Sequence, residues 1–405
     1  MEIGFVDCRF VKGIRSSPYF ITEGPAMQNL KKIAAAALAS FLATKAMAGY
    51  QIALVQAPAI GYHVIDSSLK LDNAGRVYGN ADLPASAYET YFSEYGDVAL
   101  LGKQLADGAY QTIDAVSGNG TLAGAAGPVN GVSIGFEQLG SEPTLLYGAS
   151  GTDVAAFAVN DSGEAVGISA NTSNESIHST LLWQAGKTTA ISVAVGNAPQ
   201  IDTALAINDS GTVAGITTTR NSSLSTAFTW LNGKSTILPS LGGSSGVDDI
   251  NSGGVVVGAG LDMSGERYAV EWSGGKIMKL LSGNGYEDSV AVAINDSGAV
   301  IGNDTTSTGV RGAFIYDDGQ ATSLDSLMPA SDGYHFLEAF DINDNGQILA
   351  QATYDGSTED VLLTPDVSDP SATIVAQIAS VPEPSVTALL ALIAGAGGLK
   401  RTTKK

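Results

Sequence analysis

Between residues 71 and 350 one nine-residue pattern of apolar and polar positions recurs, and it is clearest at Ile207–Gly215 (INDSGTVAG). Each copy has an apolar first residue, a polar tip with Gly fifth, and an exit of alternating apolar residues. Copies begin at Leu71 (LDNAGRVYG), Val116 (VSGNGTLAG), Val159 (VNDSGEAVG), Ile207, Ile250 (INSGGVVVG), Ile294 (INDSGAVIG) and Ile342 (INDNGQILA). Their starts are 45, 43, 48, 43, 44 and 48 residues apart, a period that belongs to repeat architectures rather than to ordinary domains. Apolar alternation either side of a polar tip predicts a β-hairpin, with Gly in the left-handed position. Asn and Asp at the tip bond to their own backbone, so turn chemistry alone accounts for them.

Beyond each hairpin most units continue alike: a short strand, a tight turn, another short strand. Thr226–Leu241 runs TAFTWLNGKSTILPSL, with its turn at Asn232-Gly233, and comparable runs start at Ser179, Tyr268 and Gly312. An aromatic residue recurs at Trp183, Trp230, Trp272 and Tyr316. Regular recurrence predicts packing between units, with a sugar-stacking face as the alternative. Four strands per unit of about 45 residues is the size of a propeller blade. The expected fold is therefore all-β, a seven-bladed β-propeller over residues 49–366. Its first strand-like runs are QIALV from Gln51 and YHVID from Tyr62. The last copy is followed by only one further strand, at Asp360–Thr364, so His63-Val64-Ile65-Asp66 is expected to complete the final blade and close the ring.

Composition permits this. The chain has 405 residues, 44% hydrophobic and only 7% aromatic, with 49 glycines, as suits many turns and close packing of small side chains. Helical periodicity is confined to the two ends. Residues 1–26, which hold the only cysteine, Cys8, precede Met27. From Met27 a secretory signal is legible: Lys31 and Lys32, an apolar run from Ile33 to Ala43, then Ala46-Met47-Ala48 with small residues at the positions a signal peptidase reads. Residues 1–26 are thus either an untranslated misassignment or an extension before an internal signal at 27–48. Cleavage after Ala48 leaves no cysteine and hence no disulfide.

At the other end a polar linker, 367–380, leads to Val381-Pro382-Glu383-Pro384-Ser385, an apolar run to Leu399 and a basic end, Lys400-Arg401-Thr402-Thr403-Lys404-Lys405. This order over 381–405 resembles the PEP-CTERM sorting signal, built on Pro382, Glu383 and Pro384. The resemblance implies processing by an exosortase, transient inner-membrane anchoring through a helical segment, and the cell surface or extracellular matrix of a Gram-negative-type bacterium that makes exopolysaccharide. The repeats, with ALAINDSGTVAGIT followed by AFTW and AVAINDSGAVIGND followed by AFIY, resemble the HAF family of extracellular repeats. That resemblance implies a propeller outside the cell and transfers no catalytic residue.

Residues 49–399 carry 10 basic against 38 acidic groups. Such a surface repels phosphate backbones, which sets nucleic acid aside, and attracts cations. Asp341, Asn343 and Asn345, with Gly346 sixth, match the first half of a calcium loop, but Ala352 stands where a bidentate acid is needed. Turn chemistry is the other reading of that stretch, and calcium is the only cofactor it suggests. Gly242, Ser244 and Gly246 fit a nucleophile-elbow pattern without the helix that should follow it. His63, His178 and His335 are too scattered for a local metal motif, although a closed ring brings His63 and His335 toward one blade. No catalytic residue is assigned. The expected function is non-enzymatic binding or organisation of extracellular polysaccharide. A protein-interaction or adhesion scaffold is one alternative. The other is a carbohydrate-active enzyme with an axial pocket, which gains weight if several acids outside the turns converge on one mouth of the axis.

Overall fold

The computed structural model describes residues 50–366 apart from 56–62, 65–68, 84–86, 95–96, 101–109, 130–131, 141–142, 172–173, 194–199, 220–221, 223, 282–285 and 330–331. The expected signal and sorting segments, with Cys8, Ala46, Ala48, Pro382, Glu383 and Pro384, lie outside the described residues. Within them the chain is all-β, broken by a short 3-10 helix at Leu324–Leu327 that Ser323 caps by accepting from the Asp325 amide. No helix of the described residues is long and apolar enough to cross a membrane.

The hairpins form where the tips predict them. At all seven fifth-position glycines φ is positive, from 72° at Gly346 to 92° at Gly298, where a side chain would be strained. Strands on either side pair antiparallel, as Gln200–Ile207 does with Val213–Thr219. The outer pairs are joined by two-residue turns such as Asn232-Gly233, both with positive φ, the geometry that matches strand twist. Typical is the order Gln200–Ile207, Val213–Thr219, Ser225–Leu231, Lys234–Ile237, and the sheets starting at Tyr110 and Thr152 run the same way. Two such sets, starting at Gly242 and Tyr286, are joined into one eight-stranded sheet by a parallel bridge at Arg267 and Asp288.

One irregularity recurs and decides what faces inward. Before each of the last six copies the pairing skips one residue: Asp114, Phe157, Leu205, Asp248, Val292 and Phe340. Such bulges re-aim the extra side chain. Opposite them stand the glycines that close the nine-residue pattern. A Cβ at Gly124, Gly167, Gly215, Gly258 or Gly302 would collide with a carbonyl oxygen of the facing strand, that of Thr203 in the case of Gly215. Only Gly lets the backbones approach this closely. In the last copy Ala350 takes this place, and its partner strand carries a second register shift between Phe336 and Glu338.

The core lies between sheets as well as within them. Trp183, Trp230 and Trp272 are 5%, 6% and 2% exposed. Trp230 packs with Val166, Leu182 and Ile191 of the preceding sheet, and Trp272 with Ala206, Ala214 and Ala227. Tyr316 is half-buried against the same kind of seam. The recurring aromatics are therefore core, not a sugar-stacking face.

One expectation needs correction. The strand that completes the last sheet is Tyr50–Leu54, paired with Ser357–Pro365 from Tyr50 opposite Pro365 to Leu54 opposite Val361. His63 and Val64 instead pair with Asp82 and Ala81 in the first sheet, and Lys70–Leu71 pairs with Tyr78 and Val77 of the same neighbour. The first copy needs an inner strand like every other, and His63-Val64 and Lys70-Leu71 supply its pairing among the described residues. Only the more N-terminal run is left for the last sheet.

Candidate functional site

The bulges and the residues after them line a cavity of about 330 Å³ enclosed by the inner strands. Asp114, Asp248, Asp249 and Asp341 line it, interleaved with the apolar side chains of Phe157, Leu205, Val292 and Phe340 from the strands between and beside them. Lys70 is the only base lining it among the described residues. A smaller space of about 150 Å³ continues from it to the hairpin tips, sharing Val159, Ile207, Asp249, Ile294 and Asp344 with its wall. That space is the mouth.

The four carboxylates differ in what holds them. Asp249 accepts from the amides of Ile250 at 2.7 Å and Ile294 at 2.9 Å, and so ties its own strand to the next repeat. Asp341 does the same with Ile342 and Leu71, each at 2.9 Å, across the seam between last and first sheets. Both oxygens of each are thus committed. Asp114 and Asp248 carry no such bonds and remain available to a ligand.

Burial pushes Asp114 and Asp248 up to about 6, with Lys70 opposing in both cases. Burial pushes Asp249 to about 7, helped by the charge of Asp341 and resisted by the Ile294 amide. Asp341 is also raised by burial, against Lys70. These acids are surrounded by protein while facing cavity water: the Asp248 side chain is itself exposed. An acid whose folded pKa lies above its unfolded value favours the folded state while protonated. Its stabilisation is complete below about pH 4 and is lost as pH rises toward 7. The chain should therefore lose stability between pH 5 and 8, and Asp114→Asn with Asp248→Asn should flatten that slope. Urea midpoints at the two pH values provide the check.

Around the mouth the tips hold one another. Asn160, Asn208, Asn251 and Asn295 each donate from Nδ2 to the carbonyl of the Asn that begins the next tip, and Asn343 donates to Asp72. Each of these Asn side chains also accepts amides of its own turn; Asn208 Oδ1 takes Ser210 and Thr212. In the first copy Asp72 fills this role, accepting from Ala74 and Arg76. The next residue caps its neighbour: the carboxylates of Asp161, Asp209, Asp296 and Asp344 accept the amides of Asn119, Asp161, Ser252 and Asp296. Burial, with the charges of Asp161, Asp296 and Asp344, raises Asp209.

Of the residues singled out as a calcium loop, Asp341 faces the cavity, Asn343 Oδ1 accepts from Asn345 and Gln347, and Asn345 Nδ2 donates to the Asn73 carbonyl. Among the described residues no group of three or more His, Cys, Asp or Glu is placed to hold a metal ion. Ser244 accepts from the Ser225 amide, and Gly242–Ile250 is strand with no helix following. His63 and His335 belong to different sheets; His335 Nδ1 is 2.7 Å from Asp325 Oδ2, and His178 Nε2 is 3.0 Å from the Asp202 carbonyl. Sequence reasoning passed over the acids that line the cavity. Their signal was present: Asp114 and Asp248 stand two residues before the pattern, where other copies have Phe, Leu or Val.

The solved structures similar to this chain include the β-propeller domain of the trilobed protease from Pyrococcus furiosus, with 12% identity, 66% of this chain and 97% of that one covered, and a TM-score of 0.35. YCF48 from Cyanidioschyzon merolae shares 10% identity over 77% of this chain and 98% of its own, with a TM-score of 0.46. TolB from Acinetobacter baumannii shares 10% over 86% and 71%, with a TM-score of 0.37. No curated protein matches the chain. The family model described as protein of unknown function (DUF3466) matches residues 113–380, more than half of the sequence, and the chain belongs to that family.

Proposed function

We propose that the chain is an exported, seven-bladed β-propeller, closed by Tyr50–Leu54, that binds extracellular polysaccharide without cleaving it. Supporting closure, Leu69, Leu71 and Tyr91 of the first sheet pack with Leu349 of the last, and the tip bonds return from Asn343 to Asp72. The observation that carries the binding role is the mixed lining of the cavity, in which carboxylates alternate with apolar side chains from the strands between them. Such a lining fits a unit with a basic group and an apolar face, as in an amino sugar, with Asp114 and Asp248 meeting the ammonium and Phe157 or Phe340 the ring. The export signals legible at 27–48 and 381–405 supply the setting, with signal peptidase and exosortase as processing partners.

A second reading is favoured by the same acids. Four carboxylates outside the turns line one cavity, and raised values are what a general acid needs. In that reading Asp114 and Asp248, the two without committed oxygens, share the work of glycoside hydrolysis.

Calorimetric titration with the producing organism's extracellular polysaccharide, with and without calcium, separates these. Saturable heat with unchanged polymer length, weaker at pH 5 than at pH 8 as the acids become protonated, is the expected result. Shortened polymer supports the enzyme. Absence of both heat and cleavage points to a protein partner, and dependence on calcium restores the loop at Asp341, Asn343 and Asn345.

A further inference from the structure

The strand Tyr50–Leu54 is held differently from every other strand of its sheet. His335–Ile342, Ile348–Tyr354 and Ser357–Pro365 follow one another through tight turns, at Asn343–Gly346 and Asp355-Gly356. Tyr50–Leu54 comes from far away in sequence and is joined to the body only through Gln56-Ala57-Pro58-Ala59-Ile60-Gly61-Tyr62, which leads to His63 in the first sheet. It is short, and its burial fades along its length: Tyr50 is 2% exposed, Ile52 is half-buried and Leu54 is 49% exposed. Even Tyr50, packed in a cluster with Ile301, Phe336 and Leu363, keeps its hydroxyl buried without a hydrogen-bond partner.

When this strand leaves, it uncovers the edge of Ser357–Pro365 and the apolar side chains of Val361 and Leu363. An exposed edge of that kind is a template for another strand. We propose that the last sheet accepts the Tyr50–Leu54 strand of a second copy of this chain, so that two copies exchange strands. Geometry favours reciprocity. Root and acceptor are neighbours within one copy, because Leu71 of the first sheet packs with Leu349 of the last. Two copies set seam to seam about a two-fold axis therefore place each donor beside the other's acceptor, the isologous arrangement that domain swapping produces. The eight residues from Val55 to Tyr62 span at most about 26 to 29 Å when extended, which sets how far apart the two seams can lie.

Cysteine pairing tests this. Gln51 lies opposite Thr364 in the register, a cross-strand position at which two cysteines are close enough to bond. In a Cys8→Ser background, full-length chains carrying only Gln51→Cys are unfolded and refolded together with chains carrying only Thr364→Cys, then oxidised. The expected result is a disulfide-linked heterodimer that increases with chain concentration, while a chain carrying both substitutions cross-links within itself at low concentration and between copies as concentration rises. A mixture that yields no more heterodimer than one in which Thr358→Cys replaces Thr364→Cys overturns strand exchange. Failure of the double variant to cross-link at all, within or between copies, overturns it as well, because the strand is then not seated opposite Thr364.

Discussion

Replacing Gly215 by alanine is expected to destabilise the chain by about 4 kcal/mol or more, the range reached only when a change breaks a specific backbone arrangement. The new Cβ would collide with the Thr203 carbonyl oxygen, and a backbone atom cannot swing aside as a side chain does. Relief requires losing the bulge that sets Leu205 apart from the ladder between Ala204 and Ala206. The strand would then shift register and exchange its inward and outward faces. Gly211→Ala is the comparison: φ there is 75° and the nearest atom is the end of the Glu164 side chain, so strain of about 1 to 2 kcal/mol is expected. Urea denaturation of both variants decides it; a Gly215→Ala midpoint no lower than that of Gly211→Ala would refute the role given to the closing glycine.

The second large effect is expected at Asn208, which is 4% exposed. Its Oδ1 accepts the Thr212 amide at 2.9 Å and the Ser210 hydroxyl at 2.8 Å, while Nδ2 donates to the Asn251 carbonyl at 2.8 Å. Alanine removes all of these and leaves buried backbone groups unpaired, at about 1 to 3 kcal/mol for each group that water cannot reach. A loss of about 3 kcal/mol follows for Asn208→Ala. Asp209→Ala, one residue on, gives up the bond from the Asp161 amide at an exposed site, for about 1 kcal/mol. Thermal unfolding of the pair measures the difference. Equal losses would mean that the tips are ordinary turns and not joints between sheets.

Much of this architecture was legible because it is local. The tip residues announce their turns through conformations that few other residues tolerate, and Trp183, Trp230 and Trp272 mark their seams by recurrence. What escaped the sequence depends on partners distant in the chain. Whether Tyr50–Leu54 or His63–Val64 fills the last sheet is settled by which of them the first copy needs as its own inner strand. The carboxylate of Asp341 fits the opening of a calcium loop when read along the chain, yet it accepts the Leu71 amide from the opposite end of the sequence. The closing glycines are equally quiet: nothing in INDSGTVAG tells that its last residue faces the carbonyl of Thr203 on the facing strand. Asp114 and Asp248 were readable as departures from an apolar column, but the column has a meaning only once the bulges turn it toward the cavity.

The most direct test of the binding role is calorimetric titration of the chain and of its Asp114→Asn, Asp248→Asn variant with a glucosamine oligomer and with its N-acetylated counterpart at pH 7, where both acids are largely ionised and the sugar amine keeps part of its charge. Saturable binding of the free amine by the parent chain, weakened at least tenfold by the double substitution and by acetylation, is the predicted result, since losing a close charge pair costs about 2 kcal/mol or more. Equal binding of both oligomers, or binding that the double substitution leaves untouched, would contradict a cavity site that recognises a basic sugar.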